Sequence, residues 1–488
     1  MEAIRNEATV KVECPPELVE QFAGALAGVD GGFEQREAAA LMLGNELVRQ
    51  WIERDLSALA RGFGEEVRVD GQLYRRHAAG TRQYHTLCGP VEVRRSSYRQ
   101  VGVHNGPTVV PLELRAGLRE NATPALAFSV LQGFAERPLR HYQAEMAAAH
   151  RDVPSRSTLE RMGKRIGEAI QAIVTKVEPM IRNTEPVVRA GRSISIGFDR
   201  TTVPMAELAT TPTRRTRPYV RRAPPPVTVA YRMAYIGTVS LHDGEGTVLV
   251  SKRFAATPLQ GPDDIVDRVA EEVRHLRTRH GTLPMNVVQD GAPELWNLVA
   301  QLCARHGLAP TCKLIDRFHV DQRLAEVCKL LTYDEPTARE LRESWGKYLD
   351  RSDTAMSRIV RRIDELLLHV LLGALDDDPP PAFWETRARH RLSAESQRII
   401  SGHVEYFRNH RHLMRYATSL RCGYPIGSGP TEGACKSVVT MRFKRSGQRW
   451  LESGLAPCLS LRALHLSERL RPCFAKLQAS RIATLAAA

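Results

Sequence analysis

The sequence predicts an α/β fold, and three observations point to it. Between Ser193 and Ile315, apolar runs of strand length alternate with amphipathic stretches of helical period. Two of those runs lead directly into an aspartate. On either side, the chain keeps a helical period over long distances.

In chain order, residues 1–63 read as an N-terminal helical region. Its main element is a helix from Phe33 to Arg61, with Leu41, Leu47, Trp51, Ile52, Leu56 and Leu59 at helical spacing, stopped by Gly62 and Gly64. Residues 64–118 switch to short alternating runs (Val67 and Val69; Val91 and Val93) broken by Gly71, Gly80 and Gly89, as expected of a small β-rich subdomain with a hairpin. His77, His85, Cys88 and His104 fall here at irregular spacing and are taken as surface or internally bonded groups. Residues 119–188 return to helix. Two shorter helical segments around Arg151-Asp152-Val153-Pro154 carry the turn signal of a helix-turn-helix, with Ser155 or Ser157 as cap of a recognition helix opening at Thr158.

Residues 189–332 carry the α/β pattern. Ile194, Ile196 and Phe198 alternate into Asp199, a strand expected to end at that carboxylate. A basic, proline-rich loop follows from Thr211 to Pro226. It holds Arg214, Arg215, Arg217, Arg221 and Arg222 and no acidic residue. Runs from Val227 to Leu241 and from Thr247 to Phe254 form a hairpin. A helix (Ile265 to Arg279), a strand (Met285 to Gln289), a helix opened by Pro293 and a last strand (Thr311 to Ile315) complete the set. Strand, hairpin, helix, strand, helix, strand is the layout of an RNase H-like fold, in which a ligand sits beyond the carboxyl ends of the strands. Residues 333–420 read as a helical insertion splitting this catalytic fold, broken at Asp376 to Pro381. Residues 421–488 return to it with a helix that carries Glu432.

The 488 residues carry a formal charge of +14, from 69 Lys plus Arg against 55 Asp plus Glu. Such a surface suits a polyanion, nucleic acid above all. No apolar run is long enough for a membrane span and the first twenty residues are too charged for a signal peptide, so a cytosolic protein is expected. Nine cysteines without a Cys-x-x-Cys pair support neither a zinc ribbon nor a thioredoxin-type site. They are expected to be reduced, buried small hydrophobes. No Walker-type glycine loop is present, so nucleoside triphosphate hydrolysis is not supported.

Against this basic background three acidic residues stand in turn or cap signals: Asp199 in Ile-Ser-Ile-Gly-Phe-Asp, Asp290 in Gln-Asp-Gly-Ala, and Glu432 in Gly-Ser-Gly-Pro-Thr-Glu. Drawn from a first strand, a fourth strand and a later helix, they are expected to converge as catalytic metal ligands. Carboxylate oxygens suit hard cations such as Mg²⁺ or Mn²⁺, and two such ions can clamp both oxygens of a phosphodiester displacement. Asp316 and His319, after the fifth strand, are expected at the rim, steadying the ligands or a phosphate. Helix capping for Asp316 and a place at the core edge for His319 are the plainer alternatives. Lys436, Arg442, Lys444, Arg445 and Arg449, with the five loop arginines, are expected DNA contacts.

These residues carry a resemblance. Tyr424 to Lys436 (Tyr-Pro-Ile-Gly-Ser-Gly-Pro-Thr-Glu-Gly-Ala-Cys-Lys), Arg442 to Trp450, Asp290-Gly291-Ala292 with Leu295-Trp296, and the Asp-x-x-His of Asp316 to His319 resemble the DDE transposases of bacterial insertion sequences. The chain is most similar to the ISKra-type family, whose catalytic domain is similar to that of Mutator-like transposases. The resemblance runs from about Tyr84 to Arg469 and is strongest after Asp290. It implies metal-dependent DNA cleavage and strand transfer at terminal inverted repeats, with Asp199, Asp290 and Glu432 at the DDE positions, two Mg²⁺ or Mn²⁺ ions, and a homodimer or larger assembly on DNA in the nucleoid. Family members often carry cysteine pairs in the N-terminal part. Only the widely separated Cys14 and Cys88 stand there in this chain, which speaks against a zinc module. An RNase H-like nuclease that cuts without joining, and a domesticated DNA-binding protein without catalysis, are the alternatives.

Overall fold

The computed structural model describes residues 15–208, 227–372 and 392–485, and the chain divides into two compact units, Met1–Ile166 with Phe474–Ala488, and Gly167–Cys473. The architecture is mixed α/β.

The first unit opens with helices α1 (Pro16–Leu26) and α2 (Phe33–Arg61). It continues with an antiparallel sheet of β1 (Glu66–Val69), β2 (Gln72–Thr86), β3 (Gly89–Gln100) and β4 (Thr108–Val109) in that order, and with α3 (Pro111–Arg115), α4 (Pro124–Glu136) and α5 (Leu139–Ala148). Helix α2 has the bounds its periodicity predicts. Leu56 is buried with Ile52 and Leu59 against Tyr84, Val91 and Val93 of the sheet, whereas Leu41, Leu47 and Trp51 stay exposed. The expected second helix of the helix-turn-helix is not short: α6 runs from Arg156 to Thr184. Ser155 stands at its start, its Oγ accepting from the Thr158 N–H at 3.4 Å.

The second unit is built on a five-stranded sheet in the order β7-β6-β5-β8-β9, comprising β5 (Ser193–Leu208), β6 (Val227–His242), β7 (Val248–Ala256), β8 (Met285–Gln289) and β9 (Cys312–Ile315). The first three strands are antiparallel and β5, β8 and β9 are parallel. The strand expected to stop at Asp199 continues to Leu208, because β6 stays paired with it along its whole length. Its parallel pairing with β8 ends at Ile196, so Asp199 lies where that neighbour falls away.

Helices α7 (Asp263–His280) and α8 (Pro293–His306) cover the sheet, packing Ile265, Val269, Leu298 and Leu302 on Ile194, Ile196 and Val287. Val288, the next residue of β8, belongs to a second core with Leu314 and Ile315. That core is filled by α9 (Arg317–Leu331), α10 (Glu335–Arg351), α11 (Ala355–Leu372) and α12 (Ala394–His410), through Leu324, Trp345, Ile363 and Phe407. The strand alternation thus sends neighbouring residues into opposite layers.

The chain then passes through α13 (Tyr416–Arg421) to α14 (Gly429–Ala434), a π-helical segment Cys435–Thr440, α15 (Met441–Phe443), α16 (Glu452–Leu466) and α17 (Leu470–Ala483). The arginine-rich loop and the Asp376 to Pro381 break lie outside the described residues. No described helix is long and apolar enough to cross a membrane. The eight described cysteines are free thiols; Cys328, Cys435, Cys458 and Cys473 are buried and Cys422 is exposed.

Candidate functional site

Strand register brings the acidic residues to one level. The β5–β8 pairing runs from Ile194↔Met285 to Ile196↔Val287, and three residues further on the same register sets Asp199 beside Asp290. The β8–β9 pairing ends at Gln289↔Ile315, so its next step sets Asp290 beside Asp316. The Asp316 N–H donates to the Gln289 carbonyl at 2.9 Å, and the Gln289 side chain accepts from the Phe198 N–H at 3.2 Å. Asp290 and Asp316 therefore stand just past the carboxyl ends of β8 and β9, and Asp199 lies within the neighbouring β5, three residues beyond the end of its pairing with β8.

Glu432 arrives from the other direction. Helix α14 is seated on the sheet through Thr431, whose hydroxyl lies 2.6 Å from that of Thr238 on β6. A side chain at Gly197 would collide with Thr431, its Cβ falling 2.3 Å from Oγ1. The glycine two residues before Asp199 is thus what lets the glutamate-bearing helix approach. Gly291 has a similar reason: a Cβ there would lie 2.8 Å from the Tyr406 ring on α12. The Asp290-Gly291 pair is therefore shaped by a helix of the insertion.

Asp316 is 1 % exposed and does two things. Its Oδ1 accepts from the Phe318 N–H at 2.6 Å, capping α9, and its Oδ2 accepts from the Ser428 N–H at 2.7 Å and from the Ser428 hydroxyl. The Ser428 hydroxyl also lies 3.2 Å from Glu432 Oε1, and His319 Nε2 lies 3.2 Å from the same oxygen. The helix-cap reading of Asp316 thus holds together with a role at the site: it fixes the turn that launches α14. His319 is not a core-edge residue but a direct partner of Glu432.

Among the described residues, the group whose ligand atoms all lie within 4.8 Å of one another is Asp316, His319 and Glu432, not the expected Asp199, Asp290 and Glu432. Asp199 and Asp290 instead join the cluster through neighbours. The Cys435 thiol, three residues past Glu432, is pushed up by burial and then by the Asp199 carboxylate beside it. Arg200 and Glu294, each close in sequence to one aspartate, form an ion pair. Asp199 Oδ1 accepts from the Arg200 N–H at 2.7 Å and Asp290 Oδ1 from the Gly291 N–H at 2.6 Å.

None of the four carboxylates has a Lys or Arg ion-pair partner among the described residues; Glu432 meets only His319. Asp199, Asp290 and Glu432, with the His319 imidazole, are therefore a partly exposed, oxygen-rich donor set without Lys or Arg partners among the described residues, which fits a hard divalent cation, while Asp316 is buried and hydrogen-bonded through both oxygens.

Two residues at the site carried no signal in the sequence. Tyr406 lies against Gly291, and its phenol, pushed up to about 12 by burial and then by Asp290, remains protonated at neutral pH. Its hydroxyl is buried, and the Arg323 guanidinium sits 3.9 Å from the ring centroid. Both come from helices whose periodicity marks only a core face.

Of the expected basic contacts, Lys436, Lys444, Arg445 and Arg449 are exposed, and Lys444 Nζ reaches the Thr201 hydroxyl at 2.6 Å, two residues past Asp199. Arg442 is a correction. It is 3 % exposed and its guanidinium lies over the Trp450 ring, because the irregular turn at Cys435–Thr440 rotates it into the core. Arg214, Arg215, Arg217, Arg221 and Arg222 lie outside the described residues. No protein-family model matches the chain, and no curated protein matches it.

Proposed function

We propose that this chain is a DDE transposase with an RNase H-like catalytic domain, which cuts DNA at the ends of an insertion sequence and joins the freed end to target DNA. The observation that carries this reading is the carboxylate set without Lys or Arg partners among the described residues: Asp199 on β5, Asp290 and Asp316 directly after the adjacent parallel strands β8 and β9, with Glu432 brought in by α14. The strand order β7-β6-β5-β8-β9, with an antiparallel half and a parallel half, supports the RNase H-like assignment.

In this reading Asp199, Asp290 and Glu432 hold the cations, and Asp316 holds the turn at Ser428 so that Glu432 keeps its place. His319 orients the glutamate oxygen from the side. When bound, a pair of Mg²⁺ or Mn²⁺ ions activates an oxygen nucleophile and stabilises the leaving oxygen. Lys436, one helical turn beyond Glu432, and Lys444, tied to β5, line the approach for a phosphate backbone. The buried, protonated Tyr406 phenol packs between Gly291 and Arg323 and helps hold Asp290 in place.

The test is cleavage and strand transfer of a labelled duplex carrying the native element ends, with Mg²⁺ or Mn²⁺, for the wild type and Glu432→Gln. Metal-dependent cut and joined products, lost in the variant, are expected. Equal product from both proteins would remove Glu432 from the mechanism, and cutting without joining would leave a nuclease.

A further inference from the structure

The hairpin of the first unit has a feature that folding does not require. Strand β2 has nine consecutive exposed residues, Arg75 to Gln83, whereas a sheet strand ordinarily buries every second side chain. The cause lies at its two ends. Val91 and Val93 of β3 face one core, with Tyr84 and Leu56, while Tyr98 faces the opposite side into a second core with Val67 and Tyr74. A register shift between Arg76 and Ala78 accommodates the change of side. The middle of β2 is left open on both faces, while the facing Arg95, Ser96 and Ser97 of β3 are half-buried.

Register sorts what that middle presents. On the face of Val93 stand Arg95, Ser97 and Arg99 of β3, and across from them Arg82 (paired with Val93), Gly80 (with Arg95), Ala78 (with Ser97) and Arg75 (with Arg99). Arg75 is taken by Glu66 at 2.7 Å. Arg82 and Arg99 are exposed and have no carboxylate partner among the described residues, Arg82 Nε donating to the Asn121 side chain at 3.2 Å; Arg95 is half-buried, its guanidinium turned toward the buried Tyr84 phenol. Glu92 alternates onto the other face, with Arg94. Small Gly80, Ala78 and Ser97 form a flat floor between the guanidinium groups. From Arg82 to Arg75 the ribbon covers seven residues, roughly 23 Å at ~3.3 Å per residue.

We propose that this face of the β2–β3 ribbon is a second DNA-binding surface, on which the exposed Arg82 and Arg99, at the two ends of the open stretch, take phosphates of a duplex. A two-stranded ribbon fits the major groove, and guanidinium forks match phosphate oxygens. A protein partner is the weaker occupant, since no large hydrophobic residue is exposed between Ile52 and Gln100 to anchor one. The proposal rests on the reading of the chain as a DNA transposase, but it concerns a different unit and has its own test.

That test is the salt dependence of binding of the full chain to a fluorescent duplex, for the wild type, Arg82→Ala/Arg99→Ala, and Arg94→Ala on the opposite face. Both ribbon residues of the double variant are exposed, so its fold is retained and far-UV dichroism checks it. The slope of log K against log salt should fall by about 2 in the double variant, with roughly tenfold weaker binding, and by less in Arg94→Ala. A double variant with the wild-type slope overturns the proposal and leaves the catalytic reading standing. So does a variant that changes the sedimentation coefficient and not the slope, which would make the ribbon edge a contact between copies. A wild type that binds no duplex overturns both.

Discussion

The second unit contains two carboxylate clusters that differ in one respect. In the first, every acid is matched: Glu178 meets Arg268 at 2.7 Å, Glu185 meets Lys252 and Arg469 at 2.8 Å each, and Glu272 meets Arg469 at 2.7 Å. Arg469 and Glu272 are each 1 % exposed there. Burial pushes the Glu185 carboxyl up, but Arg469 and Lys252 outweigh it and hold it at about 2. In the second cluster, Asp199 within β5, Asp290 and Asp316 just past β8 and β9, and Glu432 at a helix start have no Lys or Arg ion-pair partner among the described residues. A buried charge without a partner is costly, so a chain with 69 basic residues has neutralised its structural carboxylates and left one set open. The open set is the one to which a cation can be added. Sequence neighbours do not name the partners of the matched set: Arg182 and Arg189 stand three and four residues from Glu185, yet its carboxylate pairs with Lys252 and Arg469.

Substitutions should separate the two clusters. Glu432→Gln should lower single-turnover cleavage by at least ~10³-fold, about 4 kcal/mol of barrier, without loss of thermal stability, since it removes like charge from a crowded site. Arg469→Met should do the reverse: it takes the nearest cation from the buried Glu272 and one of two from Glu185, and should cost about 3–5 kcal/mol in urea unfolding. If the first variant melts early, or the second is as stable as the wild type, the contrast between an open and a matched cluster fails.

Metal should stabilise only through the open set. Mn²⁺ at ~100 times its dissociation constant should add about 2.7 kcal/mol to the wild type and clearly less to Glu432→Gln, read by thermal melts with and without EDTA. An equal gain in both would locate the ion elsewhere.

The smallest effect concerns pH. His242 is 1 % exposed, its Nε2 lying 2.6 Å from the Ser195 hydroxyl, and burial holds it below its usual 6.5; His85 and His275 are lowered for the same first cause. Each binds fewer protons folded than unfolded, so its contribution is complete above about pH 6.5 and declines as the pH falls through that value. The matched acids behave oppositely in range. Glu185, held at about 2, contributes fully above its usual 4.5 and loses that contribution only as the pH falls from there toward 2, so the paired cluster is intact while the histidines titrate. Urea midpoints from pH 7.5 to 5.5 should decrease, and His242→Gln should flatten the curve.

Local signals carried much of this molecule. The bounds of α2 and of β8 follow from periodicity and flanking glycine or proline, because both are decided by which side of one element is apolar. The helical character of residues 333–420 was legible for the same reason in the residues described. The acids Asp199, Asp290 and Glu432 were marked by their turns, and Asp316 by its cap position. What remained hidden depended on residues far apart in the chain. The continuation of β5 past Asp199 is set by its pairing with β6, the burial of Arg442 by Trp450, and the need for Gly197 and Gly291 by Thr431 and Tyr406. Tyr406 itself lies on a helix whose period announces packing alone. The sequence by itself determined the elements and most of the acidic positions, since propensity, capping and alternation act within a few residues. Only the tertiary structure decided which carboxylates are matched, which arginine is buried and which face of the ribbon is open, because those depend on cross-strand register and on contacts between distant segments.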